Sequence, residues 1–259
     1  MLFWLLLACS GTDDSAKDSA EGDADTDTDT DTDTDTDSDT DADCTGGISG
    51  TILTFDGLSP AETEVQACDT FCFPTQTLAD GSFSFEGLCP GSYKVDALGE
   101  NERDDYGHVR VHTDLETTAV TLPLPLYIPR VYGPETVTSG RYTFGTDFGW
   151  TVDASTLSVP FGFEDDQFWA GAIPAAEIPA YWDGLDVQGA VSFRPFGTTV
   201  SAPFDIAVLG LWPESSYQAY YIDDHGLVQG PVGTLSVVEG VLMGTVEPAF
   251  LTWILIVPG

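Results

Sequence analysis

The chain has 259 residues, with 43 Asp or Glu against seven Lys or Arg and a formal charge of −36. So acidic a polypeptide has no electrostatic footprint for a phosphate backbone, which excludes nucleic acid as a partner. Frequent Gly and Pro, few Lys and no long helical period favour an all-β fold.

The first eight residues are apolar and stop at Cys9, after which Ser10-Gly11-Thr12 opens a polar, acidic segment. Leu6-Leu7-Ala8-Cys9 resembles the lipobox of bacterial lipoproteins, in which an apolar and a small residue precede the cysteine that is lipidated and becomes residue one. The resemblance covers these four residues. It implies acyl chains on Cys9 and retention at a membrane: each buried methylene contributes about 0.8 kcal/mol, so two long chains supply on the order of 20 kcal/mol. Residues 1–8 then read as a signal peptide truncated at its front, because they lack the Lys or Arg with which such a peptide begins. A bilayer span takes about 20 residues, so this run is an address and not a span.

From Asp13 to Asp43, fifteen acids stand against Lys17 alone, and Asp occupies every odd position from Asp25 to Asp43. With almost nothing apolar to bury and like charges repelling, residues 9–43 predict a disordered tether. At about 3.4 Å per residue it could reach roughly 120 Å fully extended. Its carboxylates would draw a diffuse cloud of cations, calcium included. The Gly that lets an Asp-rich loop turn around one ion is absent, so no specific metal site is expected.

Roughly 215 residues follow, enough for one large or two small cores. Across residues 44–126, alternation and turn residues predict strands at 48–53, 64–68, 73–78, 82–86, 92–97, 108–112 and 118–122. Ala79-Asp80-Gly81 has the composition of a tight hairpin turn, and Ser82-Phe83-Ser84-Phe85-Glu86 puts both rings on one face. The run from Ala79 to Tyr93, including Phe83, Phe85, Gly87-Leu88-Cys89-Pro90-Gly91 and Ser92, resembles the central signature of carboxypeptidase regulatory-like domains. With the Gly50-Thr51 strand it covers about 80 residues. The resemblance implies a transthyretin-like β-sandwich serving as a non-catalytic spacer or adhesive module. Cys89 departs from it, standing where that family commonly has Pro or a small residue.

If the strands ran antiparallel in sequence order, Cys44, Cys68, Cys72 and Cys89 would all fall at one end of the sandwich. Four cysteines allow three connectivities. Placement favours Cys68–Cys72 across the hairpin and Cys44–Cys89 at the exit of the tether, in an oxidising compartment. The rival is a four-thiolate zinc site, disfavoured by the spacing. His108 and His112 fall on one strand face with Arg110 between them, which opposes a cation there and predicts a solvated face balancing Asp104, Asp105 and Asp114.

Leu122-Pro123-Leu124-Pro125-Leu126-Tyr127-Ile128-Pro129 reads as a stiff, extended connector. Residues 127–259 then predict a second β-sandwich, with strands at 158–161, 190–193, 204–208, 217–222, 234–237, 243–246 and a core strand, apolar on both faces, at 251–257. Val159-Pro160, the run from Phe193 to Pro203, Tyr220-Tyr221-Ile222-Asp223 and Thr252-Trp253-Ile254 loosely resemble the β-sandwich shared by ankyrins and netrin receptors, which implies protein contact. No catalytic residue carries across. Asp223-Asp224-His225-Gly226 reads as a turn, and Glu164-Asp165-Asp166 with Asp183 as chance pairs in an acid-rich chain.

Together these features predict a lipid-anchored, non-enzymatic protein without cofactor, on the outer membrane or cell surface of a Gram-negative-type bacterium, making structural or adhesive contact. The alternative is a glycan-binding module, or an accessory to a surface enzyme. It rests on Trp169, Tyr181, Trp182 and Trp212, which fall in Gly/Pro-rich segments where flat aromatics could stack on sugars. The partner is an unidentified surface protein or polysaccharide.

Overall fold

The computed structural model of the chain describes residues 44–58, 60–116, 118–164, 166–178, 181–182 and 184–259. Cys9, the acidic tether and its cation cloud lie outside them. The described residues are all-β.

The first half runs through β1 (Gly46–Thr54), β2 (Glu64–Cys68), β3 (Cys72–Gln76), β4 (Ser82–Leu88), β5 (Gly91–Leu98), β6 (His108–Leu115), β7 (Val120–Thr121) and β8 (Leu126–Ile128). These make two sheets. One has the order β4-β1-β7, with β8 also on β1, and the other the order β3-β2-β5-β6. All seven strands predicted here form, but not as one antiparallel series. The turn at Ala79-Asp80-Gly81 closes with Gly81 at φ +78° and with its N–H on the Leu78 carbonyl at 2.9 Å. It carries the chain from one sheet to the other, because β4 pairs with β1 and not with β3. Phe83 and Phe85 share the buried face of β4, their rings edge to face at 5.9 Å.

The disulfides are Cys44–Cys89 and Cys68–Cys72. Cys68 and Cys72 are register partners across β2 and β3, so the favoured pairing survives the change of topology. All four thiols are consumed, which removes the zinc alternative.

The second half contains β9 (Tyr132–Thr136), β10 (Ser139–Phe144), β11 (Phe148–Asp153), β12 (Leu157–Ser158), β13 (Gln167–Pro174), β14 (Gly189–Arg194) and β15 (Thr198–Val200). It continues through β16 (Phe204–Leu209), β17 (Ser216–Ile222), β18 (Val228–Val238), β19 (Val241–Val246), β20 (Phe250–Leu251) and β21 (Trp253–Pro258). One ten-stranded antiparallel sheet, ordered β10-β11-β16-β19-β18-β17-β21-β14-β13-β9, folds over a core, and β12-β15-β20 form a small second sheet. At the centre of that core Trp150 is fully buried, edge to face with Phe168, Phe193 and Phe204 at 5.5 to 5.8 Å.

Two cores result, and the strand apolar on both faces explains how they meet. Along β21, Trp253 and Leu255 belong to the core shared with the first half, while Ile254 and Ile256 belong to the other. Ile173, Ala190, Phe196 and Ile222 join Val109 and Val111 in that shared core. The presumed connector is itself part of the fold: β8 pairs in parallel with β1 from Ile52↔Leu126 to Thr54↔Ile128. The Leu122 N–H also donates to Ser49 at 2.8 Å.

A candidate binding cleft at the seam

The seam between the halves is where the chemistry concentrates. β6 lies against the turn that follows β17, and the approach is close enough to require glycine. Gly226 sits at φ +82°, and a Cβ there would stand 2.6 Å from the Val111 carbonyl carbon and 2.7 Å from the His112 nitrogen. The turn is built by Asp223, whose Oδ1 accepts from the His225 and Leu227 amides at 2.9 Å each. The expected turn therefore forms, and the Asp223 carboxylate is spent on it: its Oδ2 also accepts from Gln229 at 2.8 Å.

Beside this turn a cavity of about 480 Å³ is lined by Tyr181, Trp182, Leu185, Tyr220, Leu227 and, from the first half, His112. An adjoining cavity of about 400 Å³, which also includes His112, is lined by Asp69, Ser92, Lys94, Asp224 and His225. Lys94 and His112 are register partners across β5 and β6, so they project on the same face. His112 Nδ1 lies 3.3 Å from the His225 carbonyl oxygen, and its Nε2 lies 3.3 Å from Asp114. The Ser92 hydroxyl donates to Asp114, which with His112 nearby holds that carboxyl below its ordinary value. His225 Nδ1 pairs with Asp224 at 2.8 Å. Tyr181 and Trp182 meet edge to face at 5.6 Å, and Trp182 packs on Trp253 at 5.3 Å. Burial pushes the Tyr181 phenol far up, and Trp182 Nε1 finds no hydrogen-bond partner among the described residues.

The four aromatics singled out in the sequence are thus divided. Tyr181 and Trp182 share this cavity. Trp169 is instead on β13, a strand the sequence did not reveal, beneath the Arg194 guanidinium at 4.4 Å. Trp212 donates to the Val208 carbonyl at 3.1 Å and packs on Tyr217 at 5.2 Å. Tyr220, Lys94 and the cleft position of His112 were not expected, since they depend on two halves meeting.

The expectation of a solvated face at His108 is overturned. His108 is 6% exposed at its side chain, with Nε2 3.4 Å from Asp96 and Nδ1 3.3 Å from Glu100. Arg110 binds Asp96 through two nitrogens, Nε to Oδ1 and Nη2 to Oδ2. Phe196 of the second half covers them, stacked on the His108 ring at 4.0 Å with the Arg110 guanidinium at 5.0 Å. Burial alone would lower the His108 pKa, but Glu100 and Asp96 raise it above its ordinary value. Burial alone would likewise raise Asp96, but His108 and Arg110 hold it far below the usual carboxylate range. The face faced solvent only for a first half considered alone.

No protein-family model and no curated protein matches the chain. Solved structures similar to it include the TIE protein of Bacillus anthracis, at 10% identity and a TM-score of 0.29, covering 78% of this chain and 44% of that one. A Bacteroides uniformis protein provisionally described as carbohydrate binding matches at 11% identity and a TM-score of 0.25, covering 82% and 96%. A DUF3823 family protein of Bacteroides ovatus matches at 10% identity and a TM-score of 0.25, covering 80% and 100%. This chain spans less than half of the Bacillus anthracis protein. At these TM-scores the likenesses carry no argument about function.

Proposed function

We propose that the chain is a non-enzymatic surface lipoprotein, held by acyl chains on Cys9 and presenting its β-rich body for structural or adhesive contact beyond an acidic tether. In this reading residues 44–126 are a carboxypeptidase regulatory-like sandwich and residues 127–259 a second sandwich domain. The observation that supports it is the cysteine usage. Four of the five cysteines are paired in two disulfides, which belong to an oxidising, exported setting, and the fifth, Cys9, stands in the lipobox-like motif. Among the described residues no helix is long and apolar enough to cross a membrane. Cys44–Cys89 fixes the start of β1 to the loop after β4, which braces the body where the tether enters.

Intact mass and membrane fractionation of the native chain, with and without Cys9→Ala, test this. A mature chain that begins at an acylated Cys9, and an Ala variant released from membranes, are the expected results. A soluble, unacylated native chain would overturn the anchor and leave a secreted contact protein.

A further inference from the structure

The cleft at the seam has a lining of two characters. One part is walled by the rings of Tyr181, Trp182 and Tyr220, and the other by Lys94, His112 and Asp224. Each cavity falls in the range of about 300–1,000 Å³ that ligand sites occupy, and apolar walls with a few placed polar groups are their usual composition. Charge narrows the occupant. An anion would meet Asp69 and Asp224 on a chain of charge −36, and a cation would meet Lys94. A neutral polyhydroxy compound meets no such conflict, because each hydroxyl can donate to a carboxylate and accept from an ammonium or an imidazole N–H. One unpaired donor points the same way. The indole N–H groups of Trp150, Trp169 and Trp182 all lack an acceptor among the described residues, and of the three Trp182 is the one that lines this cavity, where a sugar oxygen could accept from it.

We infer that the seam cleft is a binding site for a neutral oligosaccharide, with a sugar ring face against Tyr220, the Trp182 indole N–H donating to a sugar oxygen, and hydroxyls toward Lys94, His112 and Asp224. Both halves contribute, so the site exists only in the assembled body. The inference rests on the reading of the body as a contact head and is independent of the anchor.

The full chain, solubilised in detergent, would be applied to an array of neutral, uronate-bearing and chitosan oligosaccharides, and the best neutral ligand titrated by calorimetry. Neutral oligosaccharides should bind in preference to both charged classes. Tyr220→Ala and Lys94→Met should each weaken binding about tenfold or more, the loss expected on removing a central contact, with circular dichroism unchanged. If Tyr220→Ala does not fold, Lys94→Met alone carries the comparison. Failure of every neutral oligosaccharide to bind, a preference for a charged class, or undiminished affinity in the folded variants overturns the inference. A chain anchored through Cys9 that binds no neutral sugar defeats this inference alone, and a sugar-binding chain that is soluble defeats the anchor alone.

Discussion

His108 opens β6 with Asp96 and Glu100 at its ring nitrogens and Phe196 stacked on its face. The groups that face it are Asp96 from β5, Arg110 from β6 and Glu100 from the turn between them, with Arg194 of the second half acting on Glu100. With the imidazole protonated, Asp96 and Glu100 face the cations of His108 and Arg110, with Arg194 acting on Glu100 as well. The His108 pKa is raised in the folded chain. Its contribution is therefore fully present below the unfolded value of about 6.5 and is lost as pH rises through the folded value. The melting temperature should accordingly fall as pH is taken from about 6 to about 9, and His108→Gln should flatten that fall; an identical slope in the variant would sink the assignment. Asp96 stays ionised across that window, its folded pKa being lowered. Asp96→Asn leaves Arg110 and His108 buried without their shared carboxylate, and should cost about 3–5 kcal/mol in a denaturant titration. Alternation placed His108, Arg110 and His112 on one face correctly. What it could not supply was the ring of Phe196, 84 residues beyond Arg110's neighbour His112, that covers half of that face.

At the scale of elements, legibility followed the alternation. Strands with clean period-two patterns, such as β2 and β4, were predicted within a residue or two, and the paired cysteines fell where strand ends put them. The hairpin of β10 and β11 was missed despite its alternation, whereas other strands that escaped carry sequence features of loops. β8 is bordered by Pro125 and Pro129, and β9 holds Gly133-Pro134; β9 lies at a sheet edge, where a residue without an N–H is tolerated. β13 hides Phe168 and Trp169 among small residues, because Gly171 is needed where the Arg130 carbonyl oxygen lies 2.2 Å from any Cβ built there. The two disulfides should differ in weight. Cys44–Cys89 spans 45 residues and Cys68–Cys72 only four, so chain-entropy arguments assign about 4 kcal/mol to the first and about 2 kcal/mol to the second. Denaturant midpoints of Cys44→Ala/Cys89→Ala and Cys68→Ala/Cys72→Ala variants should rank in that order, and a reversed ranking would mean that local strain, not loop length, governs them.

For the whole molecule, the decisive fact is that the sheet region β14-β21-β17 is covered on both faces. Were the first half to detach, Trp253, Leu255, Ala190 and Ile222 would face water on one side, and Val109 and Val111 on the other. An apolar face of that extent is uncommon on soluble bodies, and the Trp253 indole would lose its 2.8 Å hydrogen bond to the His108 carbonyl. The two halves should therefore unfold as one. Scanning calorimetry of the oxidised chain should give a single transition whose van't Hoff and calorimetric enthalpies agree, whereas two resolved transitions would show that the seam holds little. Gly226→Ala tests the same seam from one backbone position. The substitution combines a left-handed φ, costing about 1–2 kcal/mol, with a methyl driven against the β6 backbone at Val111 and His112. It should lower the melting temperature of the whole body in that one transition, and not split off a component belonging to the second half. A variant with unchanged melting would mean the turn can retreat from β6, and the seam cleft would then be an adjustable gap and not a fixed one.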